Sequence, residues 1–506
     1  MYTATLKLET TKLDDHTIDR RFHALSHLHN VMVKQAVKRI TRLTHDPEYV
    51  NALASYRAFS DKGNSLSPAQ KKEKQKLAKQ LKAIQKLYGL SEYAFQSYLK
   101  GCGRQFRNLL SSSQVQKEAS RVWQGAAKCL FSNGEKLHFK KYRDFHSIGG
   151  QTNTNGARFD AETLTVRWIG LQLSCKLPKK NSYLAEALDD AKEHLRYCNI
   201  KRLAFPNGWH YYVELVIDGE PPMKKRTLGT SRMGIDPGVS TVAAVSETGA
   251  FLAVLAPNID SYEKKIAALQ RSMDRSKRDT NPDRYNEDGT VRKGVRGPQR
   301  KSHRYRRFEW QLRTMHRKKA AYVRQSHEIM ANRLLSDSGE IIVEKMNFKA
   351  LAKRAKETKR QDTATLVKQK DGTVREIKKY KRKKRFGSSI NKRAPSEFLS
   401  VLKRKCEQFG GTYLEINTQK FCASQYNHIT DACTVVPLST RWKTVGGQSV
   451  QRDLYSAFLI RNADKTLEHP DRGKCIQQFP AFCRMQRAAI NELKNNHISY
   501  RACFGF

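Results

Sequence analysis

Three acidic residues, far apart in the chain, stand where carboxylates could be gathered for metal chemistry. Asp236 lies in "GIDPGVSTVAAVS", Glu344 ends the apolar run of "GEIIVEKMN" (339 to 347), and Asp453 lies in "TVGGQSVQRDLYSAFLI" (444 to 460). In the last stretch a two-glycine turn precedes Leu454, Ala457 and Phe458, which recur at helical spacing. Each acid also has an ordinary reading: Asp236 as part of an Asp-Pro-Gly turn, Glu344 as a surface acid at a strand end, Asp453 as a helix cap. Brought together, three carboxylates repel one another unless cations neutralise them. Mg²⁺ suits such a set, being a hard ion that takes a few carboxylates, waters and phosphate oxygens. Two such ions about 4 Å apart can activate an attacking water and steady a leaving 3′ oxygen. Asp236, Glu344 and Asp453 are therefore the candidate catalytic and Mg²⁺-ligating residues.

The elements around them have to make that convergence. "SRMGIDPGVSTVAAVSETGAFLAVLAP" reads as three short strands joined by Asp-Pro-Gly and Glu-Thr-Gly turns. A helical stretch follows at about 260 to 276, then a polar loop at about 280 to 299 and a long helix at about 303 to 335. "GEIIVEKMN" is a buried-type strand, "APSEFLSVLKRKCEQFG" an amphipathic helix ending at Gly410, and "GTYLEIN" a further strand. Three strands, helix, strand, helix, strand, helix is the order of an RNase H-like α/β fold. There the first and fourth strands are parallel neighbours, so Asp236 and Glu344 emerge on one sheet edge, and a last helix can bring Asp453 to them. Gly238 serves the turn or lets a phosphate approach closely; Arg452 either meets phosphate or solvates the helix start.

Earlier in the chain, "TATLKLE" (3 to 9) alternates like a half-buried strand, and from about Asp19 to Gly125 the period is that of basic amphipathic helices. Strand patterns return at 136 to 145, 157 to 177 and 200 to 218, with Pro206-Asn207-Gly208 as a hairpin signal. The chain is thus multidomain, α+β and α/β, with a β-barrel-like domain interrupted by a helical one.

Charge narrows the partners. Among 506 residues, Lys and Arg number 95 against 48 Asp and Glu, a net charge of +47, while 39% hydrophobic residues suffice for real cores. Such an excess points to nucleic acid, whose condensed counterions are released as basic side chains neutralise phosphates. No run of about 18 apolar residues suggests a membrane span, and the first residues lack the apolar core of a signal peptide. Ten scattered cysteines without a CxxC pair argue against a disulfide framework and suit a reducing cytoplasm. Residues 353 to 385 hold fifteen Lys or Arg against four acids. Lys381, Arg382, Lys383, Lys384 and Arg385 within that run are candidates for backbone contact without base reading. In "KLHFKKYRDF", Lys140, Lys141 and Arg143 interleave with aromatics, as stacking and phosphate contact require, though those rings could equally be core. Trp209, Tyr211 and Tyr212 read as packing residues.

"GIDPGVSTVAAVS", "IIVEKMNFKALAK" and "QRDLYSAFLI" resemble, in order and spacing, the three split RuvC motifs of TnpB and of the compact type V CRISPR effectors, with the likeness best over about 231 to 461. The resemblance implies a first wedge strand (1–14), a helical recognition domain (15–130), the rest of the wedge (131–228), RuvC motifs I and II (229–420), a zinc-ribbon-like loop (421–450), and motif III with a tail (451–506). It implies an RNA-guided, Mg²⁺-dependent DNA endonuclease of a prokaryotic cytoplasm, with a guide RNA and double-stranded target DNA as partners. A single RuvC site, carrying two Mg²⁺ ions or Mn²⁺, would cut beside a short flanking motif. The loop departs from the family's CxxC…CxxC pattern: Cys422 remains, Gln425 takes the second position, and Lys443 and Gly446 stand at the second pair. Cys433 and His428 could be proposed as substitutes, but the close pairing a structural Zn²⁺ needs is missing. Two rival readings are a guide-dependent DNA-binding repressor and an RNA-independent RuvC-like resolvase or transposase.

Overall fold

Strict alternation of buried and exposed side chains makes Tyr2–Leu8 the first strand, β1. The computed structural model describes residues 1–506 except 62–65, 132–133, 179–180, 224–225, 296, 353–361, 369–373, 378–385, 438 and 499–500. It divides into two units, Met1–Lys224 and Lys225–Phe506.

In the first unit five helices follow β1: α1 (Lys12–Thr44), α2 (Pro47–Asp61), α3 (Pro68–Leu87), α4 (Glu92–Gly103) and α5 (Ser112–Phe131). Thr11 and Asp14 start α1 with a reciprocal capping box, and Ile18, Phe22, Leu25, Leu28 and Met32 line its buried face. Then come β2 (Ser147–Gly149), β3 (Ala157–Asp160), β4 (Thr165–Trp168), β5 (Leu171–Lys176), α6 (Ser182–His194), β6 (Leu195–Phe205) and β7 (Gly208–Ile217). The sheet order is β2-β6-β7-β1-β5-β4-β3, so β1 pairs with strands that follow the helices. The sheet also curls: the Cys198 thiol on β6 donates to the Ala157 carbonyl on β3 at 3.2 Å.

The stretch 136 to 145, expected as a strand, is not one; only Tyr142–Asp144 forms a short 3₁₀ turn there. Its backbone groups go to side chains instead. Asn30 accepts from the Lys140 N–H and donates to its carbonyl, both at 2.9 Å. Arg202, fully buried, donates to the carbonyls of Phe145 (2.8 Å) and Tyr142 (2.5 Å) and pairs with Asp19 at 3.1 Å. Its guanidinium lies 4.2 to 4.5 Å from the ring centres of Tyr142, Trp209 and Phe22. One cation therefore ties α1, this segment and the β6–β7 hairpin together.

The second unit begins with β8 (Ser231–Pro237), β9 (Thr241–Val245) and β10 (Ala250–Val254), then α7 (Ile259–Thr280), α8 (His303–Asp337), β11 (Ser338–Glu344), α9 (Phe348–Ala352), β12 (Thr365–Lys368) and β13 (Val374–Ile377). It continues with α10 (Gly387–Arg393), α11 (Pro395–Gln408), β14 (Thr412–Ile416), α12 (Thr418–Phe421), β15 (Tyr426–Asn427), β16 (Ala432–Cys433), β17 (Trp442–Val445), β18 (Gln448–Gln451), α13 (Arg452–Arg461), α14 (Arg472–Asn495) and α15 (Arg501–Phe504). The main sheet runs β10-β9-β8-β11-β14, antiparallel from β10 to β8 and parallel from β8 to β14. Both faces are covered, as parallel strands require. Met233, Ile235, Ile341 and Val343 pack with α8 and α11, while Ala243, Val245, Ile342 and Ile416 pack with α13 and α14. Among the described residues no helix is long and apolar enough to cross a membrane.

Gly234 on β8 is where α13 comes closest to the sheet. A Cβ there would stand 2.2 Å from both the Ala457 carbonyl oxygen and the Arg461 nitrogen, backbone atoms that cannot turn aside. Gly234→Ala is expected to lower the stability of the second unit by about 1–3 kcal/mol, the usual cost of overpacking. Gly249→Ala, whose Cβ meets nothing among the described residues within 4 Å, should shift it by less than about 1 kcal/mol. Urea unfolding followed by tryptophan fluorescence compares the two.

The helical part of the first unit has its own constraint in Glu118, buried between His29 (2.7 Å) and Arg121 (2.9 Å). Burial pushes this carboxyl up, but the His29 hydrogen bond and the Arg121 charge more than offset that, leaving it below its ordinary 4.5. Ionised Glu118 thus adds stability above that value, and loses it as the pH falls through the lower folded-state value. Glu118→Gln should cost about 3–5 kcal/mol at neutral pH, as removal of one member of a buried pair does. The deficit should shrink below about pH 4.5, and unfolding curves over a pH series measure it.

Candidate active site

Strand pleat and register decide which side chains meet. Asp236 lies opposite Ala243 on β9, and Glu344 lies beside Ile416 on β14; both neighbours face α13. The parallel β8–β11 ladder pairs Ile235 with Val343, so one step further puts Glu344 next to Asp236. Both acids stand at the same end of adjacent parallel strands. Pro237 and Gly238 then turn the chain, with the Gly238 N–H donating to the Thr241 carbonyl at 2.8 Å. A Cβ on Gly238 would meet the Thr241 hydroxyl at 2.9 Å, so this glycine serves the turn.

The third acid arrives from the other layer. β17 and β18 form a two-residue hairpin whose Gly446 and Gly447 have φ of 54° and 75°, the left-handed pair that such a turn demands. The hairpin delivers Gln451, whose side chain accepts from the Leu454 N–H at 2.8 Å. Gln451, not Asp453, is the cap of α13, and Asp453 in the first turn is left to face the cavity. Gln451 is fully buried, and its own N–H donates to the Gln486 side chain on α14 at 2.8 Å. Nothing in the sequence pattern marked it, since glutamine is an uncommon cap.

Asp236, Glu344 and Asp453 line one cavity of about 280 Å³, together with Gly238, Ser424, Arg441, Arg452 and Cys503. Burial, then the charges of Glu344 and Asp453, push the Asp236 carboxyl well above the ordinary carboxylate range, with Arg452 and Arg441 pulling the other way. Burial also raises Glu344. Asp453 is bound to arginine: Arg452 Nε and Nη2 donate to its Oδ1 at 3.1 and 3.0 Å, and Arg441 Nη1 stands 3.6 Å from its Oδ2. As the side chains stand, no three His, Cys, Asp or Glu among the described residues are grouped closely enough to hold one metal ion. A larger cavity of about 590 Å³ along β10 is mostly apolar, and its charged lining residues are Arg333 and Glu492. It offers no comparable acid cluster.

Arg452 does not solvate the helix start; it is 8% exposed and also donates to the Thr440 carbonyl at 3.3 Å. Lys140 and Lys141 are exposed and Arg143 is half-buried beside Asp144, all three in the first unit. Lys381, Arg382, Lys383, Lys384 and Arg385 lie outside the described residues. In the loop before α13, His428 faces the core: its Nδ1 is 2.7 Å from the Tyr455 hydroxyl, and its ring packs against Phe479 and Phe458. Burial, then Arg472, pushes it down to about 4. Cys433 is exposed on β16.

No protein-family profile matches the chain, and no curated protein does. The chain is similar to solved Cas12f structures. One is a Cas12f1–sgRNA–target DNA complex, at 10% identity and a TM-score of 0.43, covering 91% of this chain and 98% of that one. Another is a CRISPR–Cas12f ternary complex, at 11% identity and a TM-score of 0.26, covering 91% of this chain and 99% of that one.

Gln451→Ala tests the capping. Loss of the cap should cost about 0.5–2 kcal/mol, seen in denaturant unfolding. Gln451→Asn, with a shorter acceptor of the same kind, should recover part of it.

Proposed function

We propose that this protein is an RNA-guided, divalent-cation-dependent DNA endonuclease with a single RNase H-like active site. The observation that carries the reading is the convergence of Asp236, Glu344 and Asp453, from β8, β11 and α13, on one cavity. The sheet order, three antiparallel strands continued by two parallel ones with α13 across β8, supports an RNase H-like, RuvC-type assignment. The net charge of +47 supports a polyanionic partner. The partners assigned are a guide RNA, which would supply sequence specificity by pairing, and double-stranded target DNA; the Cas12f1 structure similar to this chain holds an sgRNA and target DNA.

The donor set fits Mg²⁺ or Mn²⁺: three carboxylates in one cavity, two of them raised by burial, suit hard cations. Asp236, Glu344 and Asp453 would hold the ions, which when bound supply Lewis acidity to a phosphate oxygen and an activated water. The chain's own contribution is placement. Asp236 and Glu344 are fixed by neighbouring parallel strands, and Asp453 by a helix capped and clamped through Gln451. Arg441 and Arg452 add positive charge beside the acids, where a phosphodiester would lie.

Asp236→Ala and Glu344→Ala should abolish cutting while guide RNA and target binding persist. Co-purified RNA, gel-shift with target DNA, and cleavage with and without the RNA measure this. Wild-type binding without cleavage would instead identify a guide-dependent repressor, and cleavage without RNA an autonomous resolvase or transposase.

A further inference from the structure

We infer that Arg452, with Arg441, is a built-in counter-charge that occupies Asp453 until a nucleic-acid phosphate draws the guanidiniums away and frees the carboxylate for a divalent cation. The inference rests on the metal-dependent reading above.

Both oxygens of Asp453 are engaged. Arg452 gives two donors to Oδ1, and Arg441 stands beside Oδ2. The side chains of Asp453, Arg452 and Arg441 are 14%, 10% and 21% exposed, so water screens these pairs little. The Arg452 N–H also donates to the Arg441 carbonyl at 2.9 Å, which holds the two arginines together. Three carboxylates in one cavity face two guanidiniums, which at Asp453 stand in the place a cation would take.

The arrangement is also one a phosphate can undo. Arg452 is the first residue of α13, at the positive end of the helix dipole, where a cation is disfavoured and an anion favoured. Asp453 offsets that cost now, and a phosphate arriving at the cavity could do the same. A guanidinium fork fits a phosphate as well as a carboxylate, with two parallel donors. Among the described residues Arg441 Nε is buried without a hydrogen-bond partner, so this arginine keeps a donor for an incoming phosphate. Exchange of Asp453 for phosphate would leave the carboxylate open, and cation and nucleic acid would then raise each other's affinity by the same factor.

The full-length protein, titrated with Mn²⁺ and followed by the electron paramagnetic resonance of free Mn²⁺, reads this without turnover. Wild type should gain about ten-fold in Mn²⁺ affinity when a nuclease-resistant phosphorothioate DNA oligonucleotide is added, after subtraction of the oligonucleotide's own Mn²⁺. Arg452→Gln should show most of that gain with no DNA present and gain little more when DNA is added. Arg452→Lys, checked for folding by circular dichroism, keeps the charge but not the fork and should fall between the two. Equal affinity in wild type and Arg452→Gln, or no gain with DNA, overturns the inference. If Asp236→Asn still loses Mn²⁺ binding in that case, the metal-dependent reading stands without it. Mn²⁺ binding unchanged by Asp236→Asn would overturn that reading itself.

Discussion

The close approach of α13 to β8 is the constraint on which the second unit depends. It exists because position 234 has no side chain: the Ala457 carbonyl and the Arg461 nitrogen occupy the space a Cβ would fill. Backbone against backbone is the nearest a helix can come to a strand. It fixes the height of α13 over the sheet, and so the height of Asp453 over Asp236, two residues along the same face of β8. The rest of the unit holds that contact in place. Leu454, Ala457 and Phe458 fill the layer around it, α14 closes it from outside, and Gln451 ties the start of α13 to Gln486. The opposite face of the sheet, packed by α8 and α11, keeps β8 and β11 in the parallel register that sets Glu344 beside Asp236.

Electrostatics give the same cavity its unusual character. A buried cluster of carboxylates is normally expensive, and the Asp236 carboxyl shows it, raised by burial and by its two acidic neighbours. Arg441 and Arg452 come from the hairpin strand side and the helix start, so the elements that deliver Asp453 also deliver its counter-charges. The first unit uses charge differently. Arg202 and Glu118 are buried and engaged, Glu118 joining α5 to α1 through His29 and Arg202 joining β6 to α1 and to the segment before β2.

Much of the frame was readable from the side-chain pattern. The alternation of Tyr2–Leu8, the apolar run ending at Glu344, the meander from Ser231 to Val254 and the helix ending near Gly410 carry strong local signals. The failures have physical causes. Residues 136 to 145 alternate like a strand, yet Asn30 and Arg202, both remote in sequence, take their backbone groups. The tail that follows motif III carried no element in the sequence reading, and its α14 proves to be the layer that packs against β10, β18 and α13. Asp453 looked like a cap by residue type, but the cap is the preceding-strand residue Gln451, because the hairpin ends one residue before the helix begins.

Residue types and spacing alone determined the chemistry this protein can offer: three carboxylates at the ends of apolar runs, and a surface with far more cations than anions. Those follow from local periodicity and composition, which need no folding partner. Only the tertiary structure decided that the acids share a cavity with Arg441 and Arg452, that Asp453 is held by them, and that Gly234 sets its distance from the sheet. Such relations join residues separated by many elements of the chain. They depend on register and interlayer distance, which no single segment encodes.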